Sequence, residues 1–160
     1  MKTKLILFLL LVPLLGFADL DMQKVNYALV SLKSGKSLTF YSDDTEFVDK
    51  LKAQKQSIAF TTKKNADVII FPKGNEKNKM TIVGSYQQLK DDKESIGAIY
   101  MKKGRTQVVF VKERLKAHGI NIQKNKNVSV ITECHFSPEC FLTLKQEIIF
   151  LIYLMINNKV

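Results

Sequence analysis

Strand and helix signals alternate along this 160-residue chain and predict an α/β fold: a three-layer domain with a mostly parallel sheet and an antiparallel edge hairpin. Three observations carry that expectation. Asp67-Val-Ile-Ile-Phe71 is an apolar run without alternation, as in a strand covered on both faces. Helix-start signals at Asp43 and Ser85 fall between strand-like segments. Two β-rich runs, residues 96–101 and 106–111, flank the turn Lys102-Lys103-Gly104-Arg105 and read as a hairpin.

The elements follow in order. Val25, Leu29 and Leu32 recur at helical spacing within residues 22–34, and Gly35 is a natural stop. Leu38 and Phe40 alternate with Thr39 and Tyr41, the period of a half-buried strand. Asp43 with Glu46 three residues later resembles a capping box, and Phe47, Val48 and Leu51 supply the apolar stripe of the helix it opens. Residues 57–61 and 67–71 predict two strands. Pro72 and the polar residues 73–79 form a loop, and residues 80–83 return to strand, ending at Gly84. Ser85 caps a short helix with Tyr86 and Leu89 turned inward. After the hairpin, residues 112–118 form a helix that Gly119 terminates. Residues 121–127 are a polar linker, and Val128-Ser-Val-Ile131 and a cysteine loop follow.

Both ends differ in texture. Residues 1–18 have the organisation of a secretory signal peptide. Lys2 and Lys4 precede an apolar run over residues 5–15, broken only by Pro13, and Gly16-Phe17-Ala18 offers small residues for cleavage after Ala18. The competing reading, an uncleaved anchor, needs roughly 20 apolar residues to span a bilayer. No cysteine follows the run, which argues against a lipid anchor. Residues 148–156 are apolar without interruption and too short to span; they read as a buried terminal element, with a partner-binding or membrane-surface segment as the alternative. The expected organisation is therefore a signal peptide over 1–18, an α/β domain over 19–122, and a tail over 123–160.

That export signal sets the meaning of charge and cysteine. The chain carries 25 Lys and Arg against 15 Asp and Glu, and cleavage removes only Lys2 and Lys4 from the excess. The bases are scattered through loops without interleaved aromatics, so nucleic acid is not expected; a solvated surface, or attraction to an acidic partner or anionic surface, is. Cys134 and Cys140 are the only cysteines and flank Ser137-Pro138, which in an oxidising compartment predicts a local disulfide. A metal site from Cys134, His135 and Cys140 lacks a nearby fourth ligand.

No G-x-S-x-G, H-E-x-x-H, P-loop or G-x-G-x-x-G is present. The paired acids Asp43-Asp44 and Asp91-Asp92 lack the apolar setting that separates catalytic carboxylate pKa values. His118 sits in the last turn of its helix, a capping position for an imidazolium. The expectation is a protein that is not an enzyme and has no cofactor or resident metal.

The stretch from Thr81 to Ile122 resembles the closing part of YfiR-like periplasmic proteins. The residues that carry the likeness are Ile96-Gly97-Ala98-Ile99-Tyr100, the Gly-Arg turn, Val108-Val109-Phe110-Val111, Arg114-Leu115 and Gly119-Ile120-Asn121-Ile122, together with the 67–71 strand. The resemblance implies a small secreted α/β regulator that holds the sensor of an inner-membrane diguanylate cyclase inactive. The cysteine pair after the hairpin–helix unit and the apolar end depart from that pattern. The expected role is a periplasmic, non-enzymatic binding or regulatory protein with an envelope protein partner. Arg105, Ile148, Phe150 and Tyr153 are the candidate contact residues. The alternative is a one-lobed receptor for a small anion, held by positive loops and by the helix N-termini at Asp43 and Ser85. A complete two-lobed receptor does not fit in this length.

Overall fold

The computed structural model describes residues 19–33, 37–54, 58–74, 76, 78–122 and 126–137. The expected signal peptide, Cys140, and the candidate contacts Ile148, Phe150 and Tyr153 lie outside the described residues.

Helix α1 (Met22–Leu32) forms where Asp21 can cap it, its carboxylate accepting the Lys24 N–H at 3.1 Å. Val25, Ala28, Leu29 and Leu32 recur every three or four residues and are fully buried, so one stripe of the helix faces the sheet. Strand β1 (Thr39–Ser42) leads into helix α2 (Thr45–Lys52), which buries Phe47 and Leu51. The chain continues through β2 (Ala59–Phe60), β3 (Val68–Ile70) and β4 (Met80–Val83) to the short helix α3 (Tyr86–Asp91). Then come β5 (Ser95–Lys102), β6 (Arg105–Val111), helix α4 (Lys112–Ala117), β7 (Ser129–Ile131) and a 3-10 turn, Glu133–Phe136.

The seven strands make one sheet in the order β2-β1-β3-β4-β5-β6-β7. Every neighbouring pair is parallel except β5 and β6. The α/β class and the mostly parallel sheet are therefore as the sequence predicts. The hairpin, however, is not the edge: β7 pairs in parallel with β6 through Val109↔Ser129 to Val111↔Ile131. The sheet thus runs past residue 122, into the segment expected to be a tail.

Two apolar clusters sandwich the sheet. On one face α1 and α2 pack on Phe40, Val68, Ile70, Ile82 and Phe110. On the other, Leu89 of α3 packs on Val83, Ala98, Val109 and Val111, with Phe136 of the 3-10 turn against them. All three residues of β3 are buried, in keeping with the unalternating run that marked it.

Two local devices fix the register. Thr81 pairs with Ser95 but Ile82 pairs with Gly97, so Ile96 is an inserted residue, a bulge; the hydroxyls of Thr81 and Ser95 bond across it at 2.9 Å in a buried position. Opposite Phe110, Gly97 leaves space for that ring: a Cβ there would stand 2.8 Å from Phe110 Cε1 and 2.7 Å from the Val109 carbonyl oxygen. After α4 the chain closes as the sequence predicts. Gly119 takes a φ of 67°, its N–H bonds the Lys116 carbonyl at 2.9 Å, and the Ile120 N–H bonds the Leu115 carbonyl at 2.9 Å, a Schellman motif. No helix among the described residues is long and apolar enough to cross a membrane.

Candidate functional site

Because β1, β3, β4 and β5 run the same way, their C-terminal ends share one edge of the sheet. In parallel sheets that edge is where ligands and partners are met, because loops there are free to vary while the strands hold them in place. Here it carries the α2 N-terminus, the segment after β3, the α3 N-terminus and the β5–β6 hairpin tip.

The hairpin tip is stiff. Lys103 and Gly104 have φ of 51° and 71°, the two left-handed central residues of a type I′ turn, whose twist matches that of the strands. Lys102 and Arg105 close the ladder as a pair. The turn is also tied to α1: the Thr106 hydroxyl accepts the Asp21 N–H at 2.7 Å, and Lys24 Nζ donates to the Thr106 carbonyl at 2.6 Å. Lys102, Lys103 and Arg105 are all exposed, and none forms an ion pair with a described acid. Arg105 thus stands in a cluster of three bases on a fixed support.

Beside the tip, a small depression of about 180 Å³ is lined by Asp19, Leu20, Met22, Asp44, Glu46, Phe47, Lys50 and Phe71. Lys50 closes it with ion pairs to Asp19 at 2.7 Å and Glu46 at 2.9 Å. Those hydrogen bonds raise the Lys50 pKa and, from the other side, hold Asp19 below the usual carboxylate range.

The α2 cap corrects the sequence reading. Asp44, not Asp43, is the N-cap, its carboxylate accepting the Phe47 N–H at 3.0 Å. Asp43 instead accepts the Tyr41 hydroxyl at 2.5 Å, which pushes the phenol pKa up, and Glu46 pairs with Lys50. With the Asp44 carboxylate on the Phe47 N–H, this terminus repels an anion. At α3, Ser85 is the cap as expected, accepting the Gln88 N–H at 3.1 Å.

A second, open groove of about 660 Å³ lies beyond β3 and β4, lined by Pro72, Lys73, Gly74, Val83, Gln88, Asp91, Asp92 and Lys93. Phe71 lines the first depression. Its φ of 55° is uncommon for a residue with a side chain. Its ring packs edge-on to Phe47 at 5.0 Å between centroids and lies 3.6 Å from where a Gly84 Cβ would stand.

On the opposite side of α3, sequence reasoning missed Arg114. It lies in a charged segment, Lys112-Glu-Arg-Leu-Lys116, that reads as a solvated face, yet it is 8% exposed. Nη1 donates to the carbonyls of Leu89 at 3.0 Å, Asp92 at 2.7 Å and Ser95 at 2.7 Å, while Nε and Nη2 donate to Glu133. The Phe136 ring stacks on the guanidinium at 5.3 Å. Arg114 therefore satisfies the carbonyls at the end of α3 and holds the 3-10 turn against the sheet. Its burial beside the carbonyls of Leu89, Asp92 and Ser95, three separate points of the chain, could be read only from the fold.

Cys134 sits in that turn and is disulfide-bonded, which removes its sulfur as a metal ligand; Cys140 lies outside the described residues. His118 is the exposed C-cap of α4, the position expected of it. Among the described residues no three His, Cys, Asp or Glu side chains converge to hold a metal ion. No family model, curated protein or solved structure matches this chain.

Proposed function

We propose that this protein is a secreted, non-enzymatic binding or regulatory domain of the periplasm that docks on an envelope protein through its cationic hairpin tip. The observation that carries the reading is the stiff, exposed cluster of Lys102, Lys103 and Arg105 tethered to α1 through Thr106. A preordered tip loses little conformational freedom on docking, so its contacts appear as affinity. Its unpaired positive charge accelerates encounter with an acidic face and selects for one. The partner that fits is an acidic surface on an envelope protein; the resemblance to YfiR-like proteins suggests the sensor region of an inner-membrane diguanylate cyclase. The signal-peptide organisation of residues 1–18 supports the compartment. The small-anion receptor reading loses support at the helix N-termini, where Asp44 and Ser85 already cap the N–H groups.

The test is affinity purification from cross-linked envelope with wild type and the double variant Lys103→Glu/Arg105→Glu. The reading requires a membrane protein whose recovery falls about ten-fold in the variant, as like-charge repulsion at a docking face demands. Equal recovery by both proteins removes the tip from the account.

A further inference from the structure

We propose that the hairpin tip docks through one face only, the side toward α3, where a shelf of aromatic rings continues the cationic pair Lys102 and Arg105. The segment it receives is an acidic stretch of the partner protein that carries aromatic or large apolar side chains. This inference rests on the docking reading and adds to it the surface used and the partner chemistry.

Strand register decides the side. Side chains alternate between the faces of a strand and share a face across each rung of the ladder. The rung Met101↔Thr106 faces α1, since the Thr106 hydroxyl accepts the Asp21 N–H there. The rungs on either side of it, Tyr100↔Gln107 and Lys102↔Arg105, therefore face away from α1. Tyr100 bears this out by packing on the α3-side cluster of Ala98 and Val109. Lys102 and Arg105 stand about 7 Å farther along the same face. The α1 side of the tip is taken up by the Thr106 tether, while both cations are exposed.

Tyr86, at the start of α3, gathers the rings. Its centroid lies 6.3 Å from Tyr100, 6.3 Å from His135 and 5.7 Å from Phe136. His135 is exposed and the other three are half-buried. Phe136 in turn rests on the buried Arg114 guanidinium at 5.3 Å, which holds the shelf in place. Preordered tyrosines beside an arginine are the composition of binding hot spots, with large contact area at a small entropy cost. The charge of the face is set by the tip. Glu133, the acid of the 3-10 turn, is neutralised by Arg114, whereas Lys102 and Arg105 pair with no described acid. A purely apolar partner would leave these cations unmatched, and a purely acidic one would leave the rings uncovered, so a segment with both characters fits.

The experiment is an amide NMR titration of the exported protein with three capped peptides, alternating aspartate with phenylalanine, aspartate with serine, and lysine with phenylalanine. The first is expected to shift Tyr86, Tyr100 and Gln107 saturably and to bind at least about five-fold more tightly than either of the others. Arg105→Gln should weaken both acidic peptides about three-fold. Tyr86→Ala, its fold checked by its own amide spectrum, should weaken the aspartate–phenylalanine peptide about five-fold and leave the aspartate–serine peptide unchanged. Equal binding of the aspartate–serine peptide overturns the shelf and leaves the acidic partner of the tip standing. Equal binding of the lysine–phenylalanine peptide overturns the docking reading as well. Shifts confined to Lys103 and Gly104, shifts centred on Gln23 and Tyr27 of α1, or no saturable shift also overturn the proposal.

Discussion

Replacing Gly97 by alanine adds one carbon where the sheet has no room for it. An ordinary Cβ contact begins near 3.4 Å, and this one would meet the Val109 carbonyl oxygen at 2.7 Å with the Phe110 ring beside it. The carbonyl belongs to the partner strand and cannot rotate away, so β5 and β6 would have to separate by about 0.7 Å in a close-packed interior. Phe110 is fully buried against the α1 face, which blocks the ring's retreat as well. Overpacking of this kind costs about 2–3 kcal/mol. In urea unfolding that is a fall of about 1 M in the midpoint at unchanged slope. Gly74→Ala is the control: nothing stands within 4 Å of its added carbon, and the midpoint should hold or rise slightly. Adding Phe110→Leu to Gly97→Ala should cost less than the two single changes together, by about 1 kcal/mol, because the shorter side chain relieves part of the clash. A Gly97→Ala midpoint within about 0.2 M of wild type would refute the packing argument and the hairpin register it rests on.

Arg114→Met should destabilise by about 3–5 kcal/mol, since it removes the buried donors to the carbonyls of Leu89, Asp92 and Ser95 and the partner of Glu133. Glu133→Gln should cost under about 1 kcal/mol, because that side chain is 43% exposed. Thermal unfolding of both variants checks the asymmetry. Asp67 accepts the Thr39 N–H at 2.8 Å and the Thr39 hydroxyl at 2.7 Å, which lowers its pKa. A carboxyl depressed in the folded state stabilises above its unfolded pKa and loses that contribution as the pH falls through its folded value. Asp67→Asn should therefore be less stable than wild type by about 0.5–1 kcal/mol at pH 7, with the difference narrowing below about pH 4.

The fold was legible where local chemistry decides. The 3.6-residue recurrence of Val25, Leu29 and Leu32, the Ser85 cap, the Gly104 turn and the Gly119 stop each act within a few residues, and each appears as expected. Asp43 and Asp44 show the limit of that reading: both are good caps, and the choice falls to Asp44 because the Tyr41 hydroxyl engages Asp43. Strand β7 was harder still. Val128-Ser-Val-Ile131 looked like part of a tail because its pairing with β6 depends on the sheet already being in place. The same holds for the site. Arg105 could be placed at a hairpin tip from sequence, but its tether through Thr106 to α1 joins residues 85 positions apart. The ring shelf of Tyr86, Tyr100 and Phe136 likewise joins segments that no local pattern connects.

The most direct test of the docking account is a photoreactive side chain placed at Lys103, with a matched probe at exposed Thr62 as control, in cells exporting the protein. The account predicts a cross-link from position 103 to one envelope protein, absent from position 62 and lost when Arg105 is reversed to glutamate. A partner captured from position 62 and not from 103 contradicts it.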